Sequence, residues 1–202
     1  KNLFSFFSLT GIIRYLRFNI VPFITKQDKQ VEISFDDGFL GLYENIDFLK
    51  ELDIDLQIFI STSLLGKKNY IDRIKLEELS RLSFIKISSH THAHKALSSL
   101  SEKDLREDLT KSKDILEAII NKEIDTISYP FGKFSPFVIS VTKEIGYKVQ
   151  YSSVPGPFFD EIFDNVKRRS LVQYSSTDDL QAILKGGDNI FSSLYFKQHF
   201  TK

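Results

Sequence analysis

Three of the four histidines in this 202-residue chain fall within five residues, in SSHTHAHKAL at positions 88–97. Two adjacent aspartates, Asp36 and Asp37, interrupt the run VEISFDDGFLG at positions 31–41. Neighbouring carboxylates raise the cost of ionising one another unless a cation or strong donors sit close by. Two imidazoles and one carboxylate make a three-ligand site with open positions, the catalytic pattern for zinc or a similar divalent ion. If the histidine segment coils helically after a strand, His90 and His94 lie one turn apart on one face and His92 points elsewhere. A cation held by His90, His94 and Asp37 offsets the crowding of the acid pair and leaves Asp36 free to take a proton from water. Each cluster also has a plainer reading. Asp-Asp-Gly is ordinary turn chemistry, and the histidine run could be a polar loop.

Consecutive side chains of a strand face opposite ways, so both aspartates serve one pocket only if the chain turns at the strand end. Gly38 can make that turn, because glycine adopts backbone angles closed to other residues.

The elements around these clusters alternate. QVEISF (30–35), DLQIFIS (55–61), FIKISSH (84–90), IDTISYP (124–130), YKVQYSS (147–153) and SLVQYSS (170–176) read as strands. Between and after them, residues 40–52, 71–82, 101–121, 135–146 and 177–187 read as helices. The clearest is 101–121, with Ser101 as its cap, Asp104 three residues on, and Leu105, Leu109, Leu116 and Ile120 sharing a face. Strand–helix alternation predicts parallel strands with helical crossovers. No glycine-rich nucleotide loop follows the first strand, which favours a barrel over an open sheet. In either architecture ligands gather at the carboxyl ends of the strands, where both polar clusters fall.

Composition narrows the classes. The 27 basic and 27 acidic residues cancel, so no electrostatic footprint points to nucleic acid or an anionic membrane. There is no cysteine, so a metal must be held by nitrogen and oxygen. The length suits one domain over 1–202. Lys1 stands where a methionine would, so a processed or truncated N-terminus is expected. The apolar opening has its longest charge-free run from Asn2 to Ile13, short of the about 20 residues that span a bilayer. It reads as the start of the fold, with an interfacial helix carrying Arg14 and Arg17 as the alternative.

SFDDG together with HTHAH resembles the first two signature motifs of the polysaccharide deacetylases, a carbohydrate esterase family. The resemblance extends over about residues 30–185. It implies an α/β fold, a distorted, incomplete (β/α) barrel of about seven parallel strands. It implies Asp36 as general base, Asp37, His90 and His94 as metal ligands, Thr91 in a Ser/Thr slot and His92 at a variable position. Zinc is the expected ion, with iron, cobalt, nickel or manganese also suited to such ligands. Ser128-Tyr129-Pro130-Phe131 stands where the family has R-x-P-Y, so the Phe131 backbone N–H is the implied oxyanion donor and the motif's arginine is missing. Arg169, in VKRRSLV, is its expected replacement, with Arg168 second.

A departure accompanies the match. The family's late histidine, which protonates the leaving amine, has no counterpart, since His199 lies outside any matching motif. The resemblance implies an enzyme removing N-acetyl groups from amino sugars of a surface polysaccharide or glycan precursor, its partner an N-acetylated polysaccharide or oligosaccharide. The alternative is a weak or inactive deacetylase-like module that binds glycan. A phosphate-ester hydrolase is weaker, because no basic cluster surrounds the motifs. Cytoplasm and cell envelope both fit.

Overall fold

The computed structural model describes residues 32–51, 54–156, 161–163 and 165–201. The apolar opening and the start of the first expected strand lie outside them. Among the described residues, β1 (Ile33–Phe35), β2 (Leu56–Ile60), β3 (Ile85–Ser89), β4 (Thr126–Ser128), β5 (Val149–Tyr151), β6 (Glu161–Phe163) and β7 (Val166–Lys167) form one sheet. Its order is β1-β2-β3-β4-β5-β7-β6. Every pairing from β1 to β7 is parallel, and β6 joins β7 antiparallel. The sheet curls into a half-barrel without closing, the distorted, incomplete barrel expected, with one strand reversed.

Among the described residues the α-helices are α1 (Leu40–Glu44), α2 (Ile46–Glu51), α3 (Arg73–Ser80), α4 (Glu102–Ile120), α5 (Pro136–Glu144), α6 (Thr177–Leu184) and α7 (Ser192–His199). The helix expected over 40–52 is broken at Asn45, whose side-chain amide donates to the Gly41 carbonyl at 2.7 Å. Asparagine offers the backbone a partner that competes with the helical ladder. Helix α4 starts where expected, with Ser101 Oγ accepting the Asp104 N–H, and stops at Asn121 in the left-handed region (φ 53°).

Strand β2 is buried along its whole length, as a parallel strand covered on both faces must be. On one face Ile58 and Ile60 join Ile85, Ile87 and Ile127 against Leu76 and Leu79 of α3 and Leu105, Leu109 and Leu116 of α4. On the other, Phe59 packs edge-on to Tyr151, ring centroids 5.4 Å apart. That inner face carries the polar groups described below.

The strand expected over 170–176 does not form. Leu171, Val172 and Tyr174 are 71%, 46% and 89% exposed, so their alternation has no face to bury. The sheet instead takes its last strands from residues 161–163 and 166–167, too short to carry a periodic signal.

Candidate metal centre and active site

The site residues leave the carboxyl ends of four strands: Asp36 and Asp37 follow β1, His90 and His94 follow β3, Phe131 follows β4 and Arg169 follows β7. After β1 the chain turns at once, with Asp37 (φ 71°) and Gly38 (φ 79°) both left-handed. Gly38 therefore shares the turn with Asp37 itself, and aspartate is one of the few side chains that tolerates the region. A Cβ on Gly38 would lie 3.0 Å from Ile60 Cδ1. The turn sends both carboxylates to the strand mouth.

The histidines follow β3 on a loop, not on the helical turn expected. Thr91 (φ 69°) and His94 (φ 53°) both adopt left-handed angles, and their reversal of the chain brings His94 back beside His90. The two imidazole centroids are 5.0 Å apart. His94 Nε2 lies 3.1 Å from Asp37 Oδ1, and His90 Nε2 lies 3.7 Å from the same oxygen. One ligand atom from each of Asp37, His90 and His94 falls within 4.8 Å of the others. His92 points away, its Nδ1 2.8 Å from Thr62 Oγ1.

The donor chemistry of this group fits a divalent ion. His90 Nδ1 lies 2.8 Å from the Ser128 carbonyl, an acceptor only, so that nitrogen carries the proton and Nε2 keeps its lone pair. Burial pushes the His90 pKa down, against the opposing pull of Asp36, and keeps the ring neutral. A neutral imidazole oriented by a backbone carbonyl is the usual arrangement of a metal-ligating histidine.

Asp36 approaches the same nitrogen of His90, its Oδ2 3.7 Å from Nε2. Arg169 grips it with two nitrogens, Nη1 to Oδ1 at 2.7 Å and Nη2 to Oδ2 at 2.9 Å. Arg169 also donates to Ser34 Oγ at 3.0 Å and Ser128 Oγ at 2.5 Å, and its guanidinium lies over the Phe59 ring at 4.8 Å. Burial pushes the Asp36 pKa up, but the Arg169 charge, with His90 and His94, outweighs it and holds the carboxyl below its ordinary value. Ser128 occupies the position that lacks arginine in the third motif, and its hydroxyl receives the guanidinium arriving from β7. Arg169 follows that strand; it does not precede a later one. Arg168, its neighbour, faces the other way and donates to the Pro155 carbonyl at 3.2 Å and Ser192 Oγ at 2.5 Å.

The third motif forms a tight turn after β4. Phe131 is left-handed (φ 59°), and the flanking amides of Tyr129 and Gly132 donate to the Tyr151 and Tyr129 carbonyls, each at 2.9 Å. Its ring packs on His94, centroids 5.0 Å apart, which places residue 131 beside the Asp37–His90–His94 group. Gly132 (φ 65°) is closely walled: a Cβ there would lie 2.6 Å from His199 Cδ2 and 2.8 Å from the Ser153 backbone nitrogen. His199 thus packs behind the turn from α7, with its Nδ1 bonded to the Tyr195 carbonyl at 2.6 Å.

Sequence reasoning missed Asp108 of α4, whose carboxylate accepts the His92 and Ala93 backbone N–H groups, each at 2.8 Å. Its one signal was an acid amid the apolar face between Leu105 and Leu109.

A curled, mostly parallel half-barrel carrying two acids, two histidines and an arginine at its strand ends defines a class of mixed α/β hydrolase domain with a candidate metal site at its mouth. The sequence profile of the family described as polysaccharide deacetylase matches residues 24–150, more than half of the chain, and the chain belongs to that family. YxkH of Bacillus subtilis, whose name assigns it by inference to the polysaccharide deacetylases, is 26% identical over 130 residues, 64% of this chain and 46% of its own. Among solved structures, the polysaccharide deacetylase BC0361 from Bacillus cereus superposes with a TM-score of 0.67 at 20% identity, over 77% of this chain and 52% of its own. The Streptococcus pyogenes deacetylase PplD, in complex with acetate, gives 0.70 at 20% identity, over 88% of this chain and 78% of its own. The chain spans about half the length of YxkH and of BC0361.

Proposed function

We propose that this chain is a metal-dependent N-deacetylase acting on amino sugars of a surface polysaccharide or glycan precursor. The observation that carries the reading is the convergence of Asp37, His90 and His94 on one point, with Asp36 beside them in the grip of Arg169. Family membership supports the reaction type. Asp37 Oδ1, His90 Nε2 and His94 Nε2 are the assigned ligands, and zinc is the assigned ion, with iron, cobalt, nickel or manganese suited to the same donors. Such an ion polarises a carbonyl and lowers the pKa of water at the site.

The chain's own groups do the rest. Arg169 keeps Asp36 ionised and fixes its orientation, so Asp36 is the base that takes a proton from the attacking water. The Phe131 N–H donates to the oxyanion that develops as water adds to the acetyl carbon. When the carbon–nitrogen bond breaks, Asp36 returns its proton to the departing nitrogen, giving amine and acetate. In this scheme Asp36 supplies the acid that a late histidine supplies in other members.

Acetate release from N-acetylglucosamine oligomers, assayed with and without chelator, tests the proposal. Release that chelator abolishes and zinc restores is expected. Stoichiometric metal without release from any N-acetylated glycan would instead identify a binding module.

A further inference from the structure

The histidine loop is held from behind by a side chain that touches neither the metal-ligating atoms nor Asp36. Two residues of the loop, Thr91 and His94, stand at positive φ, and such conformations persist only where their surroundings over-determine them. Between them, the amides of His92 and Ala93 both point at Asp108, one to each carboxylate oxygen at 2.8 Å. Asp108 is buried (8% exposed) on α4 between Leu105 and Leu109, both fully buried. Its position is therefore set by the hydrophobic core and not by solvent.

We propose that Asp108 is a positioning residue for metal binding: it fixes the separation of His90 and His94 by clamping His92 and Ala93, two of the three residues between them. The inference rests on the metal-site reading above. Charge-assisted bonds to backbone N–H groups are about twice as strong as neutral ones, so the clamp transmits the rigidity of α4 to the loop. Other contacts secure the loop on its remaining sides. The Thr62 and Ser63 amides donate to the Thr91 and His92 carbonyls at 3.2 and 3.0 Å, and Thr91 Oγ1 accepts the His94 N–H at 3.2 Å. Among the described residues only Asp108 holds both the His92 and Ala93 amides, because two adjacent N–H groups on one side of a loop match the two oxygens of one carboxylate.

The test is Asp108→Asn, which keeps the shape but turns an NH2 group towards one of the two amides. Zinc affinity of the full chain is measured by competition with a chromophoric chelator, without substrate. The dissociation constant is expected to rise about 10–100-fold, the range found when an outer group that orients metal ligands is lost. Leu116→Ala is the control, since Leu116 is fully buried on the same helix and makes no polar contact with the loop. It lowers the melting temperature and leaves zinc affinity unchanged. Wild-type affinity in Asp108→Asn overturns the proposal, and so does an equal loss in both variants, which would mark a general effect of stability. If Asp108→Asn does not fold, amide exchange in the zinc-free wild type decides: protection at His92 and Ala93 supports the clamp, and rapid exchange there overturns it. A wild-type chain that takes up no zinc removes the metal reading itself, and this inference with it.

Discussion

Arg169 and Asp36, separated by 133 positions in sequence, meet in a two-point contact of 2.7 and 2.9 Å across the open mouth of the half-barrel. The guanidinium arrives from β7 and the carboxylate from β1, so the contact links opposite parts of the curled sheet. A planar fork matches a carboxylate at two points, and a lysine ammonium cannot reproduce that geometry. Arg169→Lys is therefore expected to lower kcat by about 10²-fold, as small misplacements of a reacting group do, while zinc affinity stays within a few-fold of wild type. Steady-state kinetics beside a zinc titration check this. Full activity in Arg169→Ala would remove the assignment.

Gly132 is predicted to tolerate no side chain. Its φ of 65° strains any other residue, and a Cβ would press on the Ser153 backbone and the His199 ring. Gly132→Ala should cost more than about 1 kcal/mol of stability and displace the adjacent Phe131 N–H, lowering kcat. A thermal melt and a kinetic assay read the two effects. A variant with unchanged melting temperature would contradict this packing.

His94 is expected to matter more to the ion than any outer group. Its Nε2 stands 3.1 Å from Asp37 Oδ1. His94→Ala removes one of the three proposed ligands, so zinc affinity should fall by more than the about 10–100-fold expected of an outer partner. Isothermal titration of zinc into chelator-treated protein would show it, and retained tight binding would displace His94 from the ligand set.

A pH effect is expected far from the site. Glu117 Oε1 accepts the Ile124 N–H at 2.8 Å and pairs with Lys113 Nζ at 2.7 Å, fastening the end of α4 to the approach of β4. Burial pushes the Glu117 pKa up, but the Ile124 N–H and Lys113 outweigh it and hold the carboxyl below its ordinary value. A depressed folded-state pKa gives stability that is present above the unfolded value and disappears as pH falls through the folded one. The melting-temperature gap between wild type and Glu117→Gln should thus be widest near neutral pH and close below about pH 4. A gap independent of pH would show that the charge contributes nothing.

Local patterns in the chain announced much of this. The capped helix over 101–121, the parallel alternation and the placement of polar clusters at strand ends follow from periodicity and turn chemistry, which act over a few residues. Asp36, Asp37, His90 and His94 stood out because an acid pair and a histidine run, each with a plainer reading alone, together supply one set of metal-ligand types. The expected strand over 170–176 failed for the same reason that the others succeeded. Alternation records only that a segment could have a buried face, and whether a neighbour covers it is decided by the rest of the molecule.

What the amino-acid order determined by itself was therefore the inventory of the centre and the strand–helix grammar that carries it. Tertiary structure alone decided which partners reach it. It chose Arg169 over Arg168, because consecutive residues leaving a strand point to opposite faces. It brought the His92 and Ala93 amides onto Asp108, because α4 packs across the end of β3. Such contacts join residues far apart in the chain, and their energies depend on distances that exist only once the sheet has curled.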